Sequence, residues 1–166
     1  MNEFSDFARM PKPILKKNNL IQIIEENIKL LSELDNTINI SIDTNKKEIF
    51  LNSDREQIAR VFFNLIKNSI ESIHQRTEND SNFEKKITIE AKEENNHIII
   101  NILDKGIGFG KFAEKIKDIL NPYFTTKKNG TGLGLSIVSK IINDHSGKIE
   151  FINLDEGAKI KIDFIK

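Results

Sequence analysis

Residues 97–110 read HIIINILDKGIGFG. Ile98, Ile99, Ile100, Ile102 and Leu103 make both faces of the first half apolar, which predicts a strand covered on both sides near the middle of a sheet. The apolar run stops at Asp104, and glycines follow at 106, 108 and 110. Residues 125–135, TTKKNGTGLGL, alternate glycine in the same way at 130, 132 and 134. These two clusters take six of the 8 glycines, so the residue with the freest backbone is concentrated where something must approach the main chain closely.

The rest of the composition describes what surrounds those clusters. A chain of 166 residues, 38% hydrophobic and 30% charged, suits one domain with a real core. Lys plus Arg equals Asp plus Glu at 25 each. No overall field therefore recruits nucleic acid or an acidic membrane, and no nucleic-acid partner is expected. Cysteine is absent, which removes disulfides and thiolate metal sites. His74, His97 and His145 lack metal-ligand spacing. No apolar run reaches the length of a membrane span, and the N-terminus does not read as a signal peptide.

Around the clusters, periodicity predicts a mixed chain. Residues 1–9 read as the tail of a helix, ended by the prolines of MPKP. Leu20, Ile23, Ile24, Ile28, Leu31 and Leu34 follow a helical period. Ile38, Ile40 and Ile42 alternate as a half-buried strand, and residues 48–52, EIFLN, are expected to be its hairpin partner. Ser53 or Asp54 can cap a helix running to about His74 that buries Ile58, Val61, Phe62, Leu65 and Ile73. A strand through Ile87, Ile89 and Ala91 precedes the central one. A short helix over residues 111–120, a long loop, a helix over residues 133–144 and two closing strands complete the chain. His145 is expected to be a favourable cation at that last helix C-terminus. The sum is a two-layer α/β sandwich: a mixed, mainly antiparallel sheet with about three helices on one face.

Glycine-rich loops that open a helix cradle phosphate, because unpaired amides and the positive end of the helix dipole face the anion. GTGLGL running into SIVSKII has that form, but neither cluster fits G-x-x-x-x-G-K-[ST] or G-x-G-x-x-G. The helix before them adds a second signal. Asn64, Asn68 and Glu71 recur at helical spacing beside the apolar stripe. Polar amides beside a core are costly unless satisfied, and magnesium accepts amide oxygens together with water and substrate phosphates.

In this order, the segments NLIKNSIES, DKGIGFG, NPYFTTKKNG, GTGLGLSIVSKIINDHSGKI and EGAKIKIDF resemble the ATP-binding catalytic domain of sensor histidine kinases. That family shares the Bergerat-type fold with gyrase, mismatch-repair and heat-shock chaperone ATPases. The opening NEFSDFARMPKP resembles the junction that follows the dimerisation helices in NtrY-type nitrogen-regulation kinases. The resemblance implies residues 1–13 as the end of a dimerisation helix and linker, and residues 14–166 as the catalytic domain. It implies ATP and Mg2+ as ligands. Asp104 would accept from the adenine amino group, with Gly106 and Gly108 making room for the purine. Asn68 would hold the metal, Asn64 one turn earlier would support the phosphates or a metal water, both as catalytic residues, and Glu71 would continue the same ATP-binding face. Thr126, Lys127 and Lys128 would lie on a lid, and Gly130, Thr131, Gly132, Leu133 and Gly134 would meet the phosphates. Ala158 stands where relatives often place a hydroxyl near the base.

Hydrolytic relatives carry a glutamate one turn before the metal asparagine. Here that position is Asn64, and an amide cannot take a proton from water near neutral pH. Transfer of the γ-phosphoryl group to a histidine is therefore expected over hydrolysis. None of the three histidines precedes an acidic residue, which places the expected acceptor on an upstream dimerisation domain, with a response regulator as the next partner. The parent implied is a homodimer of the inner membrane, with this domain in the cytoplasm. The alternatives are an ATPase or nucleotide-binding clamp of the same fold, and a serine kinase of the anti-sigma type, which the NtrY-like opening speaks against.

Overall fold

A computed structural model describes residues 10–109 and 134–166. Five strands form the main sheet: β2 (Asn39–Thr44), β4 (Lys86–Glu94), β5 (His97–Asp104), β6 (Gly147–Asn153) and β7 (Ala158–Ile165). Their order is β2-β4-β5-β7-β6. Among the described residues only β2 and β4 run parallel; the other pairs of this sheet are antiparallel. Strands β1 (Lys16–Asn19) and β3 (Phe50–Ser53) form a separate antiparallel pair. Three helices are present among the described residues: α1 (Leu20–Leu34), α2 (Arg55–Thr77) and α3 (Gly134–Asp144). The short helix expected over residues 111–120 and the helical tail expected over 1–9 lie outside the described residues.

The core lies between one sheet face and the helices. Ile87, Ile89, Ile98, Ile100, Ile102, Ile160, Ile162 and Phe164 point to that face and are buried with Phe62, Leu65, Ile66, Ile73, Ile137 and Ile141 of the helices. Strand β5 is central as expected, between β4 and β7. Its outward residues Ile99 and Leu103 are only half-buried, and they pair with Lys92 and Thr88 on β4 and with Asp163 and Lys159 on β7.

Helix α1 spans the expected residues, and Leu34, its last residue, is exposed at the helix end. One expectation, about β3, needs correction. Strand β3 pairs with β1 and not with β2, whose partner is β4. Alternation of Ile49 and Leu51 marks a strand, but period 2 does not name its neighbour. Asn19 fixes the actual arrangement. Its side chain caps α1 by accepting from Ile21 N at 3.1 Å, and it also accepts from Ile49 N at 3.2 Å.

Asp54, one of the two expected caps, takes α2: its carboxylate accepts from Gln57 N at 3.1 Å and from Ile14 N at 2.9 Å. Helix α2 continues past His74 to Thr77. His74 is exposed beside Asp35, and His97 stands on β5 bonded to Asp163, both as expected.

His145 is not a cation. It is buried, and its Nε2 accepts the amide proton of Asp54 at 3.0 Å. An amide can only donate, so Nε2 carries the lone pair. Nδ1–H then donates to Ile141 O at 2.7 Å. This neutral tautomer closes the end of α3 and ties it to the start of α2. Replacing His145 with alanine removes both bonds and strands the Asp54 amide, so urea unfolding should show a loss of about 2–3 kcal/mol.

Candidate functional site

The site begins at the end of β5. Asp104 is 5% exposed, and its Oδ1 accepts the amide of Gly106 at 2.8 Å, a turn in which a side chain closes over its own backbone two residues on. Burial pushes its carboxyl above the ordinary carboxylate range, while the Gly106 amide and the nearby Ser69 hydroxyl pull the other way. No hydrogen bond of good geometry reaches Ser69 Oγ among the described residues, so its influence on Asp104 is the weaker of the two. A carboxylate held at a strand end, with one oxygen occupied and its charge incompletely solvated, is suited to accept from a ligand.

The glycines after Asp104 are needed where they stand. A Cβ on Gly106 would lie 2.1 Å from Ser72 Oγ and 2.6 Å from the Ser72 carbonyl carbon. Gly108 has φ +72°, and a Cβ there would meet Asn153 Oδ1 and Gly157 O, each at 2.9 Å. The 104–109 segment is therefore pressed between α2 and the β6–β7 turn. Ser72 Oγ accepts from Ile107 N at 3.0 Å on one side, and Asn153 Oδ1 accepts from Phe109 N at 2.8 Å on the other.

Asn64, Asn68 and Glu71 are half-buried on α2. Ser69 and Ser72, which face the Asp104 segment, follow Asn68 and Glu71 directly in sequence. One residue is about 100° of helix, so the amide face adjoins the carboxylate segment. Gly134 opens α3, which packs against α2, and a Cβ there would meet no atom of the described residues within 4 Å. Thr126, Lys127, Lys128, Gly130, Thr131, Gly132 and Leu133 lie outside the described residues. Ala158 is paired directly with Asp104 across β5 and β7 and is buried. The position beside the acid thus carries a methyl group and no hydroxyl.

Sequence reasoning missed Ser69, Ser72, Arg76, Asn153 and Gly157. The spacing of Ser69, Ser72 and Arg76 at i, i+3 and i+7 does put them on one helix face, but nothing in that spacing says which strand end the face meets.

The sequence profile of the histidine kinase-, DNA gyrase B-, and HSP90-like ATPase family matches residues 53–166. Nitrogen regulation protein NtrY of Azorhizobium caulinodans is 32% identical over 157 residues, 95% of this chain and 20% of that protein. The NtrY-like sensor histidine kinase of Rickettsia felis is 33% identical over 165 residues, 99% of this chain and 26% of that one. The chain thus spans between a fifth and about a quarter of these curated relatives. Among solved structures, the nucleotide-free catalytic domain of histidine kinase ThkA superposes with TM-score 0.77 at 30% identity, covering 92% of this chain and 96% of that one. ThkA in complex with the response regulator protein TrrA matches with TM-score 0.79 at 25% identity, covering 99% of this chain and 45% of that chain. The chain belongs to the histidine kinase-, DNA gyrase B- and HSP90-like ATPase family, and within it is homologous to the catalytic domains of NtrY-like sensor histidine kinases.

Proposed function

We propose that this domain binds ATP with Mg2+ and presents the γ-phosphoryl group to a histidine on a preceding dimerisation domain, from which it passes to a response regulator. The observation that carries the reading is the pairing of a buried base acceptor, Asp104, with an amide at position 64 on the adjoining helix face. Adenine presents an exocyclic amino donor that the carboxylate can take, and the missing Cβ atoms of Gly106 and Gly108 let the segment behind the carboxylate seat against Ser72 and against Asn153 and Gly157. With Asn64 in place of a carboxylate, no general base stands one turn before Asn68 to activate water. Catalysis in the domain is then positioning and electrostatic stabilisation of the moving phosphoryl group.

The residues present suit magnesium. Among the described residues no cluster of His, Cys, Asp or Glu could hold a metal by itself. Asn68, helped by Asn64, offers amide oxygens, and a hard cation would complete its shell from substrate phosphates and water. The ion would neutralise charge on the phosphates. Gly134 and the glycines and lysines of residues 125–133 are proposed to face those phosphates, and Glu71 to border them. Asn68→Ala should weaken ATP binding in magnesium by about tenfold and leave metal-free binding nearly unchanged. Calorimetry with and without magnesium measures this, and equal losses in both would make Asn68 structural.

Residues 14–166 are proposed as the catalytic domain, with residues 1–13 as the junction. Support comes from β1, which pairs with β3, and from Leu20, Ile23 and Ile24, which belong to the common core although they precede the family match. Response-regulator partnership is supported by the ThkA–TrrA complex. A membrane-bound homodimeric parent with a cytoplasmic catalytic domain is proposed from the NtrY relatives; in this chain no described helix is long and apolar enough to cross a membrane. Labelled ATP added to the chain with the parent's histidine-bearing helical domain should yield acid-labile, alkali-stable phosphate on that domain. Rapid phosphate release by the chain alone, with no labelled histidine, would instead indicate a hydrolytic ATPase.

A further inference from the structure

We propose that Arg76 is a positioning residue for base recognition, gripping from behind the one peptide group whose other side holds the Asp104 carboxylate. The inference rests on the reading of Asp104 as the acceptor for adenine. Arg76 Nη1 donates to Lys105 O at 2.8 Å. Gly106 N donates to Asp104 Oδ1 at 2.8 Å. Lys105 O and Gly106 N–H belong to the same peptide bond, whose atoms are coplanar and whose two polar groups point in opposite directions. The guanidinium and the carboxylate are thus connected through a single rigid plate. If the plate turns, the carboxylate turns with it.

The grip is itself braced. Nη1 also donates to Glu156 Oε1 at 2.8 Å, and Nη2 donates to Asp80 Oδ2 at 3.2 Å. The guanidinium carbon lies 4.0 Å from the centroid of the Phe83 ring. The side chain is 20% exposed, so these contacts are only partly open to water. A planar fork can serve the segment after β5, the β6–β7 turn and the loop before β4 together, which a lysine cannot. A cation on the carbonyl side also polarises the peptide and strengthens its N–H as a donor to Asp104.

The test uses the purified chain, ATP and GTP affinities, and exchange of the Gly106 amide. Arg76→Ala should weaken ATP by about tenfold. GTP, which lacks the amino group that Asp104 would accept from, should hardly change, so the ATP preference falls by a similar factor. Arg76→Lys can still reach Lys105 O and should recover part of the loss. Glu156→Gln leaves the Lys105 bond in place and should stay near wild type. The Gly106 amide should exchange faster in Arg76→Ala than in wild type or Glu156→Gln. Equal losses for ATP and GTP, or an unchanged ATP preference, would overturn the positioning role. If Arg76→Ala does not fold, Arg76→Met, which fills the space but cannot donate to Lys105 O, overturns it as well if it keeps the wild-type preference and wild-type Gly106 exchange. Wild-type protein that does not distinguish ATP from GTP would overturn the Asp104 reading instead, and the Gly106 exchange rates would still report whether Arg76 holds the peptide.

Discussion

Asp104→Asn is expected to weaken ATP binding by roughly a hundredfold while leaving the nucleotide-free fold as stable as the wild type or more so. The two effects have one cause. An ionised carboxylate at this depth is under-solvated, which is why its pKa is raised. Between the ordinary carboxyl range and that raised value the folded state holds the proton more tightly than the unfolded chain, so stability falls as pH rises through the folded pKa. Above that raised value the full cost of the buried charge is present. Asparagine removes that cost and can keep the bond from Gly106 N, but it has no charge to offer a purine amino group. The stability advantage of the variant should therefore be largest near neutral pH and shrink on acidification. Melting curves across pH, with calorimetry at neutral pH, measure both halves. A variant that binds ATP as well as wild type would remove Asp104 from base recognition, and one that melts several degrees lower would mean that the carboxylate serves the fold.

Gly157→Ala is expected to cost about 3–5 kcal/mol and to take ATP affinity with it. Gly157 has φ +90°, and a Cβ there would lie 1.9 Å from Asp104 O and 2.8 Å from Lys105 Cα. Those atoms are backbone, so relief requires the end of β5 to move away from the β6–β7 turn. Leu154 N, which bonds Gly157 O at 3.2 Å, would move too. Denaturant unfolding reads the stability and calorimetry the affinity. A loss below about 1 kcal/mol would mean that the turn gives way easily and does not brace the Asp104 segment.

How much of this was legible depended on whether a feature is local. The limits of α1 follow from apolar period and the cap of α2 from the short acceptor Asp54, while the Asn19 cap of α1 shows only in the structure. The central place of β5 follows from its unbroken isoleucines, and its end at Asp104 from the glycines beyond. The turn between β4 and β5 uses Asn95 and Asn96, at φ +50° and +65°, a conformation asparagine tolerates better than most residues. Pairing is not local, and β1 shows this: Lys16, Lys17, Asn18 and Asn19 have no apolar alternation, so no pattern marks them as a strand, and β3 was left with the wrong neighbour. The charge state of His145 was equally hidden. Sequence puts a histidine at the end of a helix, where a cation is favoured, but only the approach of the Asp54 amide from the start of α2 makes it neutral. The candidate site divides in the same way. Asp104 and the asparagines announce themselves by residue type and spacing, whereas Ser72, Arg76 and Gly157 matter through what they touch.

The claim at the centre is that the 104–109 segment, the asparagine face of α2 and the start of α3 form one adenine-nucleotide site. Backbone amide spectra of the labelled chain, titrated with a nonhydrolysable ATP analogue and magnesium, test it most directly. Saturable shifts should concentrate at Asp104, Gly106, Ile107 and Gly108, at Asn64, Asn68 and Glu71, and at Gly134 and Leu135, while the outer sheet residues Glu90, Lys161 and Glu150 stay unmoved. Shifts centred anywhere else, or none at millimolar analogue, would contradict it.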